Sequence, residues 1–191
     1  MKKILIVLII CVLFAGCQNS KSETSDSNEK IDGSDNTLEK VTITVPSYFL
    51  KHLDYFIGDC EDASTPEEYL SVTIQTYDDA VLTEDGSIKY TVYSDEAEEG
   101  KSNAIDALKM DITELSVGNN ITEITYDDTL KHFEVTCSHR LDDYEDVAEK
   151  LIMDAIIYNL YCGEVNPIIE VGFMLTDGSV LPSVSSSDLE Y

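Results

Sequence analysis

The chain has 191 residues, and its 38 acids against 12 Lys plus Arg give a formal net charge of −26. A surface this acidic is repelled by phosphate backbones and anionic headgroups, which argues against nucleic acid and direct lipid-surface binding. No cofactor motif offsets that bias.

The first sixteen residues read as an export signal. Lys2 and Lys3 open it, Ile4 to Phe14 are apolar, and the small residues Ala15 and Gly16 precede Cys17. The run is shorter than the roughly 20 apolar residues of a membrane span. The stretch Leu13-Phe14-Ala15-Gly16-Cys17 resembles the lipobox of bacterial lipoproteins, with Phe14 where Leu is usual and Leu13 one step earlier. The resemblance implies cleavage between Gly16 and Cys17 and diacylation of Cys17, which stably anchors the protein on the outer face of the cell membrane. The alternative is ordinary signal cleavage with Cys17 incidental. Loss of Lys2 and Lys3 takes the formal charge from −26 to −28.

Residues 17–39 are expected to form the lipidated cysteine and a disordered polar tether. Only Ile31 and Leu38 are large and apolar between Gln18 and Glu39, too few to offset the entropy of ordering the segment. Random-coil scaling gives those residues a reach of about 26 Å. Residues 40–191 then suit one domain with a single core.

In that domain Lys40-Val-Thr-Ile-Thr-Val-Pro46 alternates and predicts a strand ended by proline. Tyr48, Phe49, Leu53, Phe56 and Ile57 are spaced for a short helix, and an acidic loop containing Pro66 follows to about Tyr69. Ser71 to Thr76 alternates again, and Ile88 to Tyr93 alternates beyond the turn Glu84-Asp85-Gly86-Ser87, so the two predict a hairpin. A helix is expected from Ser94, its cap, to about Ser116, with Ile105, Leu108, Ile112 and Leu115 as its stripe and Gly100 as a weak point. Ile121 to Tyr126 and Lys131 to Ser138 predict a second hairpin. Asp142 and Glu145 resemble a capping box for a helix running to Cys162 and stopped by Gly163. Its apolar residues exceed one face, so it should be the most buried element. Ile168 to Thr176 and Ser179 to Val184 predict a third hairpin. The sum is an α+β fold: one antiparallel sheet of six or seven strands built from hairpins, with two main amphipathic helices on one face.

Motifs with chemistry fare poorly. A calcium loop aligned on Asn28, Asp32, Gly33 and Glu39 has Lys30 at a ligand position, which disqualifies it. His132, Cys137 and His139 match no zinc spacing, and alternation puts His132 and Cys137 on opposite strand faces. No G-x-S-x-G occurs, and Asp85-Gly86-Ser87 and Asp177-Gly178-Ser179 read as hairpin bends. With 38 acids, carboxylate pairs arise by chance and nominate no hydrolase. Most of the 11 tyrosines fall on positions the core would claim. Cys60, Cys137 and Cys162 allow one disulfide at most, Cys60 being the candidate partner, and otherwise read as buried thiols.

The segments Val41-Thr-Ile-Thr-Val-Pro46, Leu82 to Val92, Phe133-Glu-Val-Thr136 and Ser186-Ser-Asp-Leu-Glu190 resemble those of small, uncharacterised lipoproteins of Gram-positive bacteria. The resemblance implies architecture and location and lends no catalytic residue. The expected function is a non-enzymatic interaction or structural module at the cell surface, held by its lipid and taking a protein or glycan ligand. The alternative is an inhibitor or immunity-type lipoprotein that binds a basic enzyme or toxin. An enzyme with an unfamiliar site comes third, and would need a deep pocket with converging polar groups.

Overall fold

A computed structural model describes residues 39–52, 62–117 and 120–189. Gly16, Cys17, the tether to Leu38, Cys60, and Leu53, Phe56 and Ile57 of the expected short helix lie outside the described residues, and so does the rejected calcium loop except Glu39.

Strand β1, Lys40–Val45, is rich in β-branched residues and stops at Pro46, which has no N–H to continue a ladder. A 3₁₀ turn, Ser47–His52, then buries Phe49 and Leu50. Helix α1, Pro66–Thr76, replaces both the expected loop and the expected strand at Ser71 to Thr76. Its signals are local and strong. Pro66 occupies the first turn, and Thr65 and Glu68 form a reciprocal capping box, with the Glu68 N–H donating to Thr65 Oγ1 at 3.3 Å and the Thr65 N–H to Glu68 Oε2 at 3.1 Å. Tyr69 and Thr73, four apart, are the buried pair, whereas Ile74 of the apparent alternation is 46% exposed.

The turn at Glu84 to Ser87 exists, with Gly86 at φ +83°. Its strands are β2, Val81–Leu82, and β3, Ile88–Tyr93, and the long partner of β3 is β1, antiparallel from Lys40↔Tyr93 to Val45↔Ile88. Helix α2, Ser94–Ser116, has the expected bounds. Ser94 is not its cap: Tyr93 holds that position with no side-chain hydrogen bond. Leu108 and Leu115 of the predicted stripe are buried, joined by Ala97 and Ala104. Gly100 does not break the helix. A Cβ there would lie 2.4 Å from Tyr161 Cζ, so glycine lets the two helices approach.

Strands β4, Ile121–Tyr126, and β5, His132–Cys137, form the second hairpin as expected. Helix α3, Tyr144–Tyr161, is the most buried helix, as its apolar excess predicts. The expected capping box is not made, because Asp143 is the N-cap and makes no side-chain bond. The C-terminus closes as a Schellman motif: Gly163, at φ +82°, donates to the Leu160 carbonyl at 2.9 Å and Glu164 to the Asn159 carbonyl at 3.1 Å. Strands β6, Glu170–Leu175, and β7, Val184–Ser185, pair antiparallel, so the third hairpin holds in shortened form.

The single antiparallel sheet is wrong. There are two sheets, β1-β3-β2 and β4-β5-β6-β7, and β5 runs parallel to β6 from His132↔Glu170 to Cys137↔Leu175. Helix α3 is the reason: a crossover built on this 18-residue helix returns the chain to the starting end of β5, which a tight turn cannot do. The α+β class stands. Helices α2 and α3 pack along each other, and α3 touches β1 of one sheet and β6 of the other. Buried side chains from both sheets and from these helices join in one core cluster.

Candidate functional site

Periodicity on α3 builds the site. Asp146, Lys150 and Asp154 are spaced by four and so share one face. That face meets the part of α2 that carries Asp111, and a cavity of about 520 Å³ opens between them. Asp111, Asp146, Glu149, Lys150 and Asp154 line it, with His52 from the 3₁₀ turn. Met153 and Ile157 complete the wall and are apolar.

Asp154 is only 7% exposed, and its Oδ2 has no hydrogen-bond partner. Burial pushes its carboxyl up to about 7. Asp111 adds to that rise by like-charge repulsion, while Lys150 opposes it. Lys150 cannot give its charge wholly to Asp154, because its Nζ also pairs with Glu114 Oε2 at 3.4 Å. A carboxyl so placed exchanges its proton near neutral pH, and in its ionised form it accepts from any donor that enters. The described residues contain no group of three or more His, Cys, Asp or Glu placed to hold a metal ion.

A second cavity, about 580 Å³, lies over β5 and β6 and is lined by Tyr126, Phe133, Phe173 and Leu181 among others. His132 and Glu170 also line it, as an exposed pair with Nδ1 and Oε2 3.5 Å apart. Such an exposed pair contributes little.

The residues weighed for metal chemistry do not converge. His132 is exposed and Cys137 is fully buried on the opposite face of β5, as alternation requires. His139 is exposed, its Nδ1 3.1 Å from Ser138 Oγ. Cys137 and Cys162 are free thiols. Cys162 is exposed at the end of α3, which corrects its reading as a buried residue. The tyrosines largely follow expectation: Tyr69 and Tyr90 are buried, and Tyr77 stacks on Tyr90 at 4.4 Å while its hydroxyl donates to Glu96 Oε1 at 2.6 Å. Tyr93 and Tyr126 are exceptions, at 47% and 42% exposed.

Sequence reasoning missed Asp154, though a signal was present. It interrupts the run Leu151-Ile-Met-Asp-Ala-Ile-Ile157 in the helix expected to be most buried, and a lone carboxylate there must be buried or face a cavity. No protein-family model, curated protein or solved structure matches the chain.

Proposed function

We propose that the protein is a lipid-anchored, non-enzymatic binding module on the extracytoplasmic face of the cell membrane, and that its partner is a basic protein. The anchor is Cys17, freed by cleavage after Gly16, and the polar segment to Glu39 holds the domain away from the headgroups. The resemblance to small Gram-positive lipoproteins supports that address. The observation that carries the binding function is the acidic cavity between α2 and α3, where a buried carboxylate oxygen has no protein partner. Its four carboxylates against one lysine suit a cationic protein surface better than a glycan, which offers no charge to match them. An inhibitor or immunity role is the form this function takes when the basic partner is an enzyme or toxin.

Two measurements test it. A palmitate analogue should label the protein, and globomycin or Cys17→Ala should abolish the anchoring; a Cys17→Ala protein that stays membrane-bound refutes the address. The full-length protein in detergent should retain basic proteins over acidic ones of similar size at about 0.15 M salt, where exposed charges are already largely screened. Equal retention of both sets refutes the binding function.

A further inference from the structure

The geometry points to the α2–α3 cavity as a socket for one lysine or arginine side chain of a protein partner, with Asp154 as the acceptor at its inner end. This deepens the binding function proposed above and rests on it.

Three features of the cavity agree. First, an unmet acceptor belongs to the cavity wall: Asp154 lines the cavity and is nine-tenths buried, and its Oδ2, itself almost wholly covered, has no hydrogen-bond partner. A buried acceptor in that condition is costly unless a donor arrives. Ammonium and guanidinium groups are donors only, with three and five N–H groups, so they ask for no acceptor-side compensation. Second, the walls match a long cationic side chain. Met153 and Ile157 offer apolar surface for its methylenes, and Asp111, Asp146 and Glu149 line the same cavity as Asp154. Third, the size fits. At about 520 Å³ the cavity falls within the usual range of ligand sites, roughly 300–1,000 Å³.

A metal ion fits less well. It needs several converging ligands, and no group of three is so placed among the described residues. A cationic side chain is satisfied by one or two carboxylates.

The charged and titratable groups that line the cavity with Asp154 are Asp111 from α2, Asp146, Glu149 and Lys150 from α3, and His52 from the 3₁₀ turn. Of these, Asp111 disfavours its ionised form and Lys150 favours it. An incoming cation adds to the side of Lys150, so binding expels the Asp154 proton to solvent as the carboxylate forms its new bonds. The incoming group is already protonated, so the only proton released is that of Asp154.

Proton release gives the test its distinctive readout. Full-length protein in detergent is titrated with the blocked peptides acetyl-Gly-Lys-Gly-amide and acetyl-Gly-Arg-Gly-amide, with the norleucine peptide as control. Calorimetry at pH 6.5 in two buffers of different ionisation enthalpy counts protons, and the carboxyl carbon of Asp154 is followed by ¹³C NMR. The expected result is binding of a cationic peptide with net proton release, and a titration midpoint for Asp154 that falls by about one pH unit at saturation, equivalent to about tenfold tighter binding at high pH. Asp154→Asn should bind at least about tenfold more weakly and release no proton. Asp111→Asn should also weaken binding, and serves if the first variant does not fold. Asp128→Asn, on an exposed turn away from the cavity, should bind as the parent does.

Equal binding by Asp154→Asn, binding without proton release, or an equal response to norleucine overturns the inference. So does binding of free spermine where neither peptide binds, because the site would then belong to a small polyamine. If basic proteins bind parent and Asp154→Asn alike, the socket is wrong and the module stands. If no basic protein binds the parent, the module itself falls.

Discussion

Asp154→Asn should make the protein more stable at pH 8 and not at pH 4.5. Asparagine keeps the shape of the side chain and removes its titration. Well below pH 3.8 the Asp154 carboxyl is neutral in folded and unfolded chains alike, so the two proteins differ only by the amide. Between pH 4 and 7 the unfolded chain releases its proton while the folded chain keeps it, because burial raises the folded carboxyl to about 7. Ionisation then favours the unfolded state, and the stability present at low pH is lost as pH rises through that interval. A rise from 3.8 to about 7 is about three pH units, and at about 1.4 kcal/mol each the ceiling is about 4 kcal/mol. The effective dielectric of a protein site, even a buried one, is well above that of a dry interior, which brings the expected loss nearer 2 kcal/mol. An amide with imperfect partners costs about 1 kcal/mol at every pH. Asp154→Asn should therefore be slightly less stable than the parent at pH 4.5 and about 1 kcal/mol more stable at pH 8. Urea unfolding followed by circular dichroism at pH 4.5, 6 and 8, at fixed ionic strength, measures this. The difference between the proteins cancels what the other acids contribute. A difference that stays constant across pH, or that turns against the variant as pH rises, refutes the reasoning.

Gly100→Ala should destabilise the protein by about 1–2 kcal/mol in thermal melts, since overpacking against the Tyr161 ring outweighs the roughly 1 kcal/mol gain in helix propensity. A more stable variant would mean that the ring moves aside freely. Ser186→Ala should cost about 1–3 kcal/mol: the buried Ile169 N–H donates to Ser186 Oγ at 3.0 Å and would lose its acceptor. Chemical denaturation reads that loss, and Ser186→Thr, which keeps the hydroxyl, should recover part of it. Gly163→Ala should cost about 1–2 kcal/mol, because φ +82° at the end of α3 is a conformation only glycine adopts without strain. A melt unchanged from the parent would contradict it.

What the sequence disclosed follows from the range of the forces involved. The bounds of α2 and the body of α3 are legible because long apolar stripes repeat over many turns, and the β4–β5 hairpin because its strands flank a short turn. Ser71 to Thr76 misleads because four β-branched residues in six imitate a strand. The helix there is decided upstream, by Pro66 and the Thr65–Glu68 box, in a stretch read as loop. The parallel pairing of β5 and β6 is invisible locally, because strand direction depends on where α3 delivers the chain. Burial of Asp154 is of the same kind. Its isolation among apolar residues is visible, but the cavity exists only once α2 lies against α3 and brings Asp111 across. Gly100, read as a weakness, becomes a requirement only when Tyr161 is opposite it.

Stability and the proposed binding draw on the same helix in opposite ways. The apolar positions of α3 hold it between the two sheets, and that burial is what raises the Asp154 carboxyl. A domain selected for stability alone would carry an apolar or amide side chain there, since a buried unpartnered acceptor weakens the fold. Retaining the carboxylate fits a site whose missing partner comes from outside. A bound cation would remove the penalty and so stabilise the folded state by linkage, by about 2.7 kcal/mol for ligand at a hundred times its dissociation constant. The two effects have opposite signs for one substitution. Asp154→Asn should gain stability near pH 8 and lose the stabilisation that a lysine or arginine peptide gives the parent. A purely structural role for Asp154 would not produce that second loss.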